Sequence, residues 1–248
     1  YFFIVIALCL TSLLMAFEQR SRRPSDVVAR RYFWALSGVV VGWVALMIGA
    51  LVSLMFDENA NNILPPLERL SGMVTVLLLS WGFMPVTNER NMRRVRIALL
   101  SAVLAVIAGY AWSASLWYGL ADTTYFNLSD LGVTWTFAAT IINVAGILWL
   151  VSNFDIVVDA PLKMVFFAIM LIGSGGTLIQ VAQGNIIGNY AGPIRLSFVG
   201  GLMIVPALVY RAVIIDMERD LAESQKVARQ ALAQKARQAV FPAEPNRP

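Results

Sequence analysis

Seven apolar runs divide this chain and leave it little choice of fold: residues 1–17, 32–56, 67–84, 97–120, 131–152, 161–181 and 196–215. A bilayer core takes about 20 apolar residues per helical span. The first run is short for a span, and most of the others come close to that length. Inside hydrocarbon every backbone N–H and C=O must find a partner within the protein, so apolar runs of this length form helices. Composition agrees: 58% of the 248 residues are hydrophobic and 14% are charged, against about 45–50% and 25% in ordinary soluble domains. The expected fold is all-α, a polytopic membrane protein built as a seven-transmembrane-helix bundle over residues 1–215. Pro65 and Pro66 suit a helix start and are expected to open the third span. The chain begins at Tyr1 within an apolar run and without an initiator Met. The first helix is therefore expected to continue upstream, a cleaved signal peptide being the alternative.

The connections set an orientation. Turns after the first, third and fifth runs carry Arg20, Arg22, Arg23, Arg30 and Arg31, then Arg90, Arg93, Arg94 and Arg96, then Lys163. The alternate turns carry only Arg69 and Arg195. Positive residues are retained on the cytoplasmic side, so the amino end is expected outside and the carboxyl end inside. The outer loops are short and polar, too small for a separate sensory domain. Asn127, in Asn-Leu-Ser, matches a glycosylation acceptor, a weak pattern.

The seventh run passes without a Gly or Pro after Pro206 into a charged, Ala- and Gln-rich stretch. One helical rod is expected from Arg195 to about Gln238, with residues 216–240 as a cytoplasmic helix and 241–248 as a linker or tail. Arg211 would snorkel at the exit. Asp216, Glu218, Asp220 and Glu223 precede Lys226, Arg229, Lys235 and Arg237, an order that suits the helix dipole and allows a Glu223–Lys226 pair. Met217, Leu221, Ser224, Ala228 and Ala231 follow the alternating three- and four-residue spacing of a coiled coil. A second seam through Leu221, Ala228, Leu232 and Ala239 shares part of that register. A partner contact, either a second copy or another membrane subunit, is one reading of this stretch. A solvated tail is the other.

The residue inventory excludes several classes of function. There is no His and a single Cys, Cys9, which removes the usual zinc and haem ligands, the usual general base and the phosphoacceptor of a histidine kinase. The net charge of +4 comes from residues beside the spans and carries no nucleic-acid signal. A proton pump or ion-coupled carrier needs mid-membrane carboxylates, and a retinal protein needs a Lys within the seventh span; both are missing. No internal repeat supports a transporter. No catalysis, no cofactor and no metal is expected, and membrane lipids are expected as partners.

Candidate positions remain. Glu68, Arg69 and Arg195 lie at the outer ends of spans, and Asp155 and Asp159 at the inner ends. All can reach an interface, so boundary placement is expected for each. Gly38 and Gly42, Gly173 to Gly176, and Gly200 and Gly201 suit close helix packing. A hinge or ligand cleft beside the sixth span is the alternative. Aromatics gather toward the outer face. An interfacial belt explains them, while a pocket for a lipophilic ligand would draw on Trp112, Trp117, Tyr118, Trp135, Gln180 and Tyr190. Asn143, midway along the fifth span, is expected to hydrogen-bond between helices.

A short first helix runs into an Arg-rich turn with Pro24, PPLERLSGM leads into the third span, and GPIRLSFVGGLMIVPALVYRAV leads into a juxtamembrane helix. This pattern resembles the seven-helix amino-terminal sensory region of bacterial membrane histidine kinases and related cyclase or GAF-type regulators. The resemblance covers residues 1 to about 225 and carries no catalytic motif. It implies a multi-pass protein of the bacterial cytoplasmic membrane that passes a signal to a partner or output domain. An accessory subunit of a larger membrane complex and a small-solute carrier are the other readings.

Overall fold

A computed structural model describes residues 1–56, 59–85, 89–185 and 188–240. Among these residues eight α-helices follow in order: α1 Phe2–Arg22, α2 Val27–Met55, α3 Ala60–Phe83, α4 Glu89–Tyr118, α5 Asp130–Ser152, α6 Ala160–Ala182, α7 Gly192–Leu202 and α8 Ile204–Val240, with one 3-10 turn at Phe126–Leu128. No strand occurs among the described residues. Among the described residues, seven stretches are long and apolar enough to cross a membrane, the last being Gly192–Ile215.

Local chemistry places the helix starts. The Asp26 side chain accepts the Val28 N–H at 2.7 Å and opens α2. Asn59 accepts from Asn61 at 3.1 Å and opens α3. Ser129 accepts from Gly132 at 3.2 Å and opens α5. Each fills one of the backbone donors that a helix start leaves open. Asp159 precedes α6 with φ of 56°, a left-handed conformation that Asp tolerates better than most side chains.

Two expectations about helix ends are corrected. Pro65 and Pro66 do not open the third span; they lie inside α3, which starts at Ala60 because Asn59 caps it. Pro65 has no N–H to offer the Asn61 carbonyl one turn back. The Trp117 indole takes that place, donating from Nε1 to Asn61 O at 2.7 Å. The expected rod from Arg195 is also interrupted, at Met203 between α7 and α8. Pro206 explains the interruption: its ring clashes with the carbonyl of Leu202 four residues earlier, which is where α7 ends. Beyond Met203 the helix does run on to Val240.

Residues 1–209 form one compact unit and residues 210–248 a second. In the first, α1 packs on α2, α2 on α3, α3 on α4, α5 on α6 and α6 on α7; α1 also meets α7, and α3 also meets α5. The large core gathers Trp43, Leu36, Leu46, Leu79, Phe83, Phe166, Phe167, Phe198 and Leu208; a smaller one gathers Met73, Trp117, Phe126, Leu131 and Trp135. Of the expected glycines, Gly38, Gly173 and Gly201 lie against neighbouring helices, whereas a methyl on Gly42 or Gly175 would meet nothing within 4 Å; Gly72, not among those expected, is also tightly packed. A methyl on Gly72 would stand 2.8 Å from Phe198 Cζ, and one on Gly173 would collide with Ser197. The outside is strongly apolar. Phe3, Val41, Ile48, Leu104, Ile141, Leu148, Ile172 and Leu196 are all exposed, a surface suited to lipid rather than water.

The second unit carries the carboxyl-terminal part of α8. Met217, Leu221, Ser224, Ala228 and Ala231 lie there, all exposed, as are Val227 and Leu232. The side chains of Asp216, Asp220, Glu223, Lys235 and Ala239, and all of residues 241–248, lie outside the described set. The expected Glu223–Lys226 pair and the expected linker belong there.

Candidate functional site

The polar centre of the bundle sits where α3, α5, α6 and α7 converge. α3 is polar on one stripe near its start, and that stripe turns inward. Glu68 is only 8% exposed. Its two oxygens accept from Arg195 Nε at 2.8 Å and Nη2 at 2.7 Å, the paired fork geometry that makes Arg–carboxylate contacts strong and directional. The Arg195 guanidinium also lies over the Tyr190 ring, 4.2 Å from its centroid, and over Tyr1 at 5.1 Å. These contacts draw on the negative face of each ring. Burial and the nearby Glu68 carboxylate push the Tyr190 phenol above its ordinary pKa, with Arg195 opposing them; the ring stays neutral beneath the cation. These charges were expected at a wetted boundary. The structure instead turns Glu68 inward and pairs it across the chain.

Arg69 is held differently. Its Nη2 donates to Asn127 Oδ1 at 2.5 Å. The Asn127 Nδ2 donates to Gly188 O at 3.2 Å, and Asn189 Oδ1 accepts the Phe126 N–H at 2.7 Å. One arginine thus ties α3 to the two loops that precede α5 and α7. Asn127 is 1% exposed and engaged at both ends of its amide, so it is no free glycosylation acceptor.

Beneath this layer lies a cavity of about 40 Å³. Its wall includes Arg69, Gly72, Met73 and Val76 from α3, and Trp135, Ala139 and Asn143 from α5. Glu68 of α3, Met170 and Ser174 of α6, and Ile194, Ser197 and Phe198 of α7 complete it. The volume is a few times the ~10–15 Å³ that one water needs. Asn143 does not bond between helices as expected. Its Nδ2 donates to Ala139 O one turn back, at 2.9 Å, which leaves Oδ1 as the side chain's remaining acceptor. That oxygen is buried and has no partner.

The aromatic candidates are dispersed. Trp135 lines the cavity, with its Nε1 donating to Ser113 Oγ of α4 at 3.2 Å. Trp117 is fully buried, bonded to Asn61 O and edge-on to Phe126 at 5.0 Å. Trp112 and Tyr118 are exposed on α4. Tyr190 lies with Arg195, and Gln180 is half-buried near the end of α6. The pairing of Glu68 with Arg195 escaped the sequence reading, because the two residues stand in different spans with nothing local to link them. The side of Gly173 and Ser174 was readable as a cleft beside the sixth span.

A second polar cluster occupies the Arg-rich end of the bundle. Lys163 of α6 donates from Nζ to Phe83 O, the last residue of α3, at 3.2 Å. Arg31 is 3% exposed, and its three guanidinium nitrogens are buried without a hydrogen-bond partner. Both residues were counted as turn charges from sequence; both are turned inward.

The fold defines an all-helical, multi-pass membrane protein with a small polar-ended cavity inside its bundle. Beyond that class, comparison with known proteins adds no name: no family model, no curated protein and no solved structure matches this chain.

Proposed function

We propose that this chain is a non-catalytic sensory module of the bacterial cytoplasmic membrane. The state of the bundle reaches a partner or output domain through α8. The amino end lies outside and the charged part of α8 lies in the cytoplasm, as the Arg and Lys bias requires. One observation supports the reading above the others. The helix that lines the cavity with Ile194, Ser197 and Phe198 is α7, and only Met203 separates it from the start of α8. A change at the cavity wall therefore acts on the segment leading directly into α8. The exposed Met217, Leu221, Ser224, Ala228 and Ala231 supply the partner contact, most simply with a second copy.

The test is disulfide trapping between copies through Ala228→Cys in a Cys9→Ala background, in membranes. Filling the cavity with Ala139→Leu is expected to change the trapped fraction at least twofold. An unchanged fraction in a folded variant would remove the coupling. A structural accessory subunit is the second reading, favoured by α4, which is scarcely buried and exposes Ile97, Leu100, Leu104 and Ile107.

A further inference from the structure

We infer that the cavity is a hydrated site: about three waters fill it and join Asn143 of α5 by hydrogen bonds to Ser174 of α6 and Ser197 of α7. Hydration of this site does not depend on the sensory reading above.

One buried atom creates the need for a donor. Asn143 lines the cavity, is 2% exposed, and has Nδ2 committed to Ala139 O. Its Oδ1 is a buried acceptor to which no protein group donates. Such an atom forfeits its hydration unless a donor reaches it. The two serines on the wall do not supply that donor. Ser174 Oγ gives its proton to Leu171 O at 3.3 Å, and Ser197 Oγ gives its proton to Ile194 O at 2.8 Å. A hydroxyl has one proton and two lone pairs, so both oxygens remain acceptors. They also lie close together, because a methyl on Gly173, next to Ser174, would collide with Ser197 Oγ.

The donors of the wall are already engaged. Arg69 spends Nη2 on Asn127 Oδ1, and Trp135 spends Nε1 on Ser113 Oγ. The guest must therefore donate to several acceptors at once. Charge decides against a cation. The charged groups on the wall, Glu68 and Arg69, are opposed in sign, and Glu68 has both oxygens on Arg195. Size decides against an organic guest. At ~10–15 Å³ for each water, a cavity of about 40 Å³ holds about three and leaves no room for a chain of several carbons.

A water donates twice and accepts twice. A cluster of three can therefore reach the Asn143 oxygen and both serines while its members bond to one another. Met73, Val76, Met170 and Phe198 make up the apolar remainder of the wall. Asn143 makes no direct bond to another helix, and through the waters it reaches two. The contact from α5 to α7 is then carried by exchangeable molecules rather than by a fixed pair of side chains.

The experiment is X-ray hydroxyl-radical footprinting of the full chain in nanodiscs of uncharged lipid, read residue by residue by mass spectrometry. Radiolysis of a bound water oxidises the side chains beside it, and Trp135 and Met170 line the cavity. Trp43 is fully buried and stands outside the cavity, so it serves as the reference. In the wild type, Trp135 is expected to oxidise on the order of threefold faster than Trp43. Ala139→Leu, which fills the space, is expected to bring Trp135 down to the rate of Trp43 and to lower Met170 about threefold. Asn143→Leu, close in size but without the acceptor, is expected to lower both about twofold. A second measurement needs no variant: solid-state NMR of the wild type is expected to show magnetisation passing from water to the Asn143 side-chain amide. No such transfer, Trp135 oxidised no faster than Trp43, or unchanged oxidation in the folded variants would overturn the assignment. A thermal midpoint raised by sodium chloride and not by potassium chloride would also overturn it, because the guest would then be a cation. The sensory reading is judged apart from this, by the trapping of Ala228→Cys.

Discussion

Glu68 stands between two arginines, and its loss leaves both without a carboxylate. Glu68→Gln is expected to cost about 1.5–3 kcal/mol, the range for hydrogen bonds to charged groups. The partial exposure of Arg195 favours the low end. Equilibrium unfolding in mixed micelles measures it. Arg195→Met in the same background should recover part of the loss, because the stranded cation goes with it. Arg31 predicts the opposite sign. Its guanidinium is buried with no hydrogen-bond partner, so Arg31→Met, which keeps most of the stem volume and removes the charge, is expected to raise the unfolding midpoint. A fall in that midpoint would mean that the buried charge is compensated in the membrane.

At the scale of helices, the interruption at Met203 is the element most open to test. Pro206→Ala restores an N–H and removes the ring clash, so α7 and α8 should join into one helix. The trapped fraction of Ala228→Cys should then no longer respond to Ala139→Leu. Ala228→Pro, placed inside α8, should cost the helix about 3 kcal/mol locally and reduce association between copies; unchanged assembly would make this part of α8 a solvated tail. The positions of the spans were legible because hydropathy and bilayer thickness act locally. The start of α3 was not, because Asn59 caps a polar turn, Ala60 to Asn62, that hydropathy reads as loop. The break at Met203 was half legible: Pro206 was visible, but its effect falls one turn earlier. The inward turn of Glu68, Arg31 and Lys163 was not legible. An arginine at a helix end can snorkel or point inward with the same sequence, and only its distant neighbours decide.

For the bundle as a whole, the interior is apolar as in a soluble protein, and the outer surface is apolar as well. That outer surface is apolar over the spans and the Glu68–Arg195 pair is turned inward, so the bundle should unfold more readily in short-chain detergent than in bilayer nanodiscs. Orientation has its own measurement. A thiol-reactive, membrane-impermeant label should reach Thr124→Cys from outside and Met92→Cys only from the cytoplasmic side, in a Cys9→Ala background; the reverse pattern would overturn the proposed topology. The contact between Trp117 and Asn61 O carries a consequence of another kind, for the history of the sequence. The carbonyl is open to the indole because Pro65 has no hydrogen to give. A lineage that replaces Pro65 regains the helical bond and releases position 117 from its need for tryptophan; one that loses the tryptophan first strands an acceptor in the interior. The two positions should therefore drift as a pair among any descendants of this fold, with the proline changing before the tryptophan.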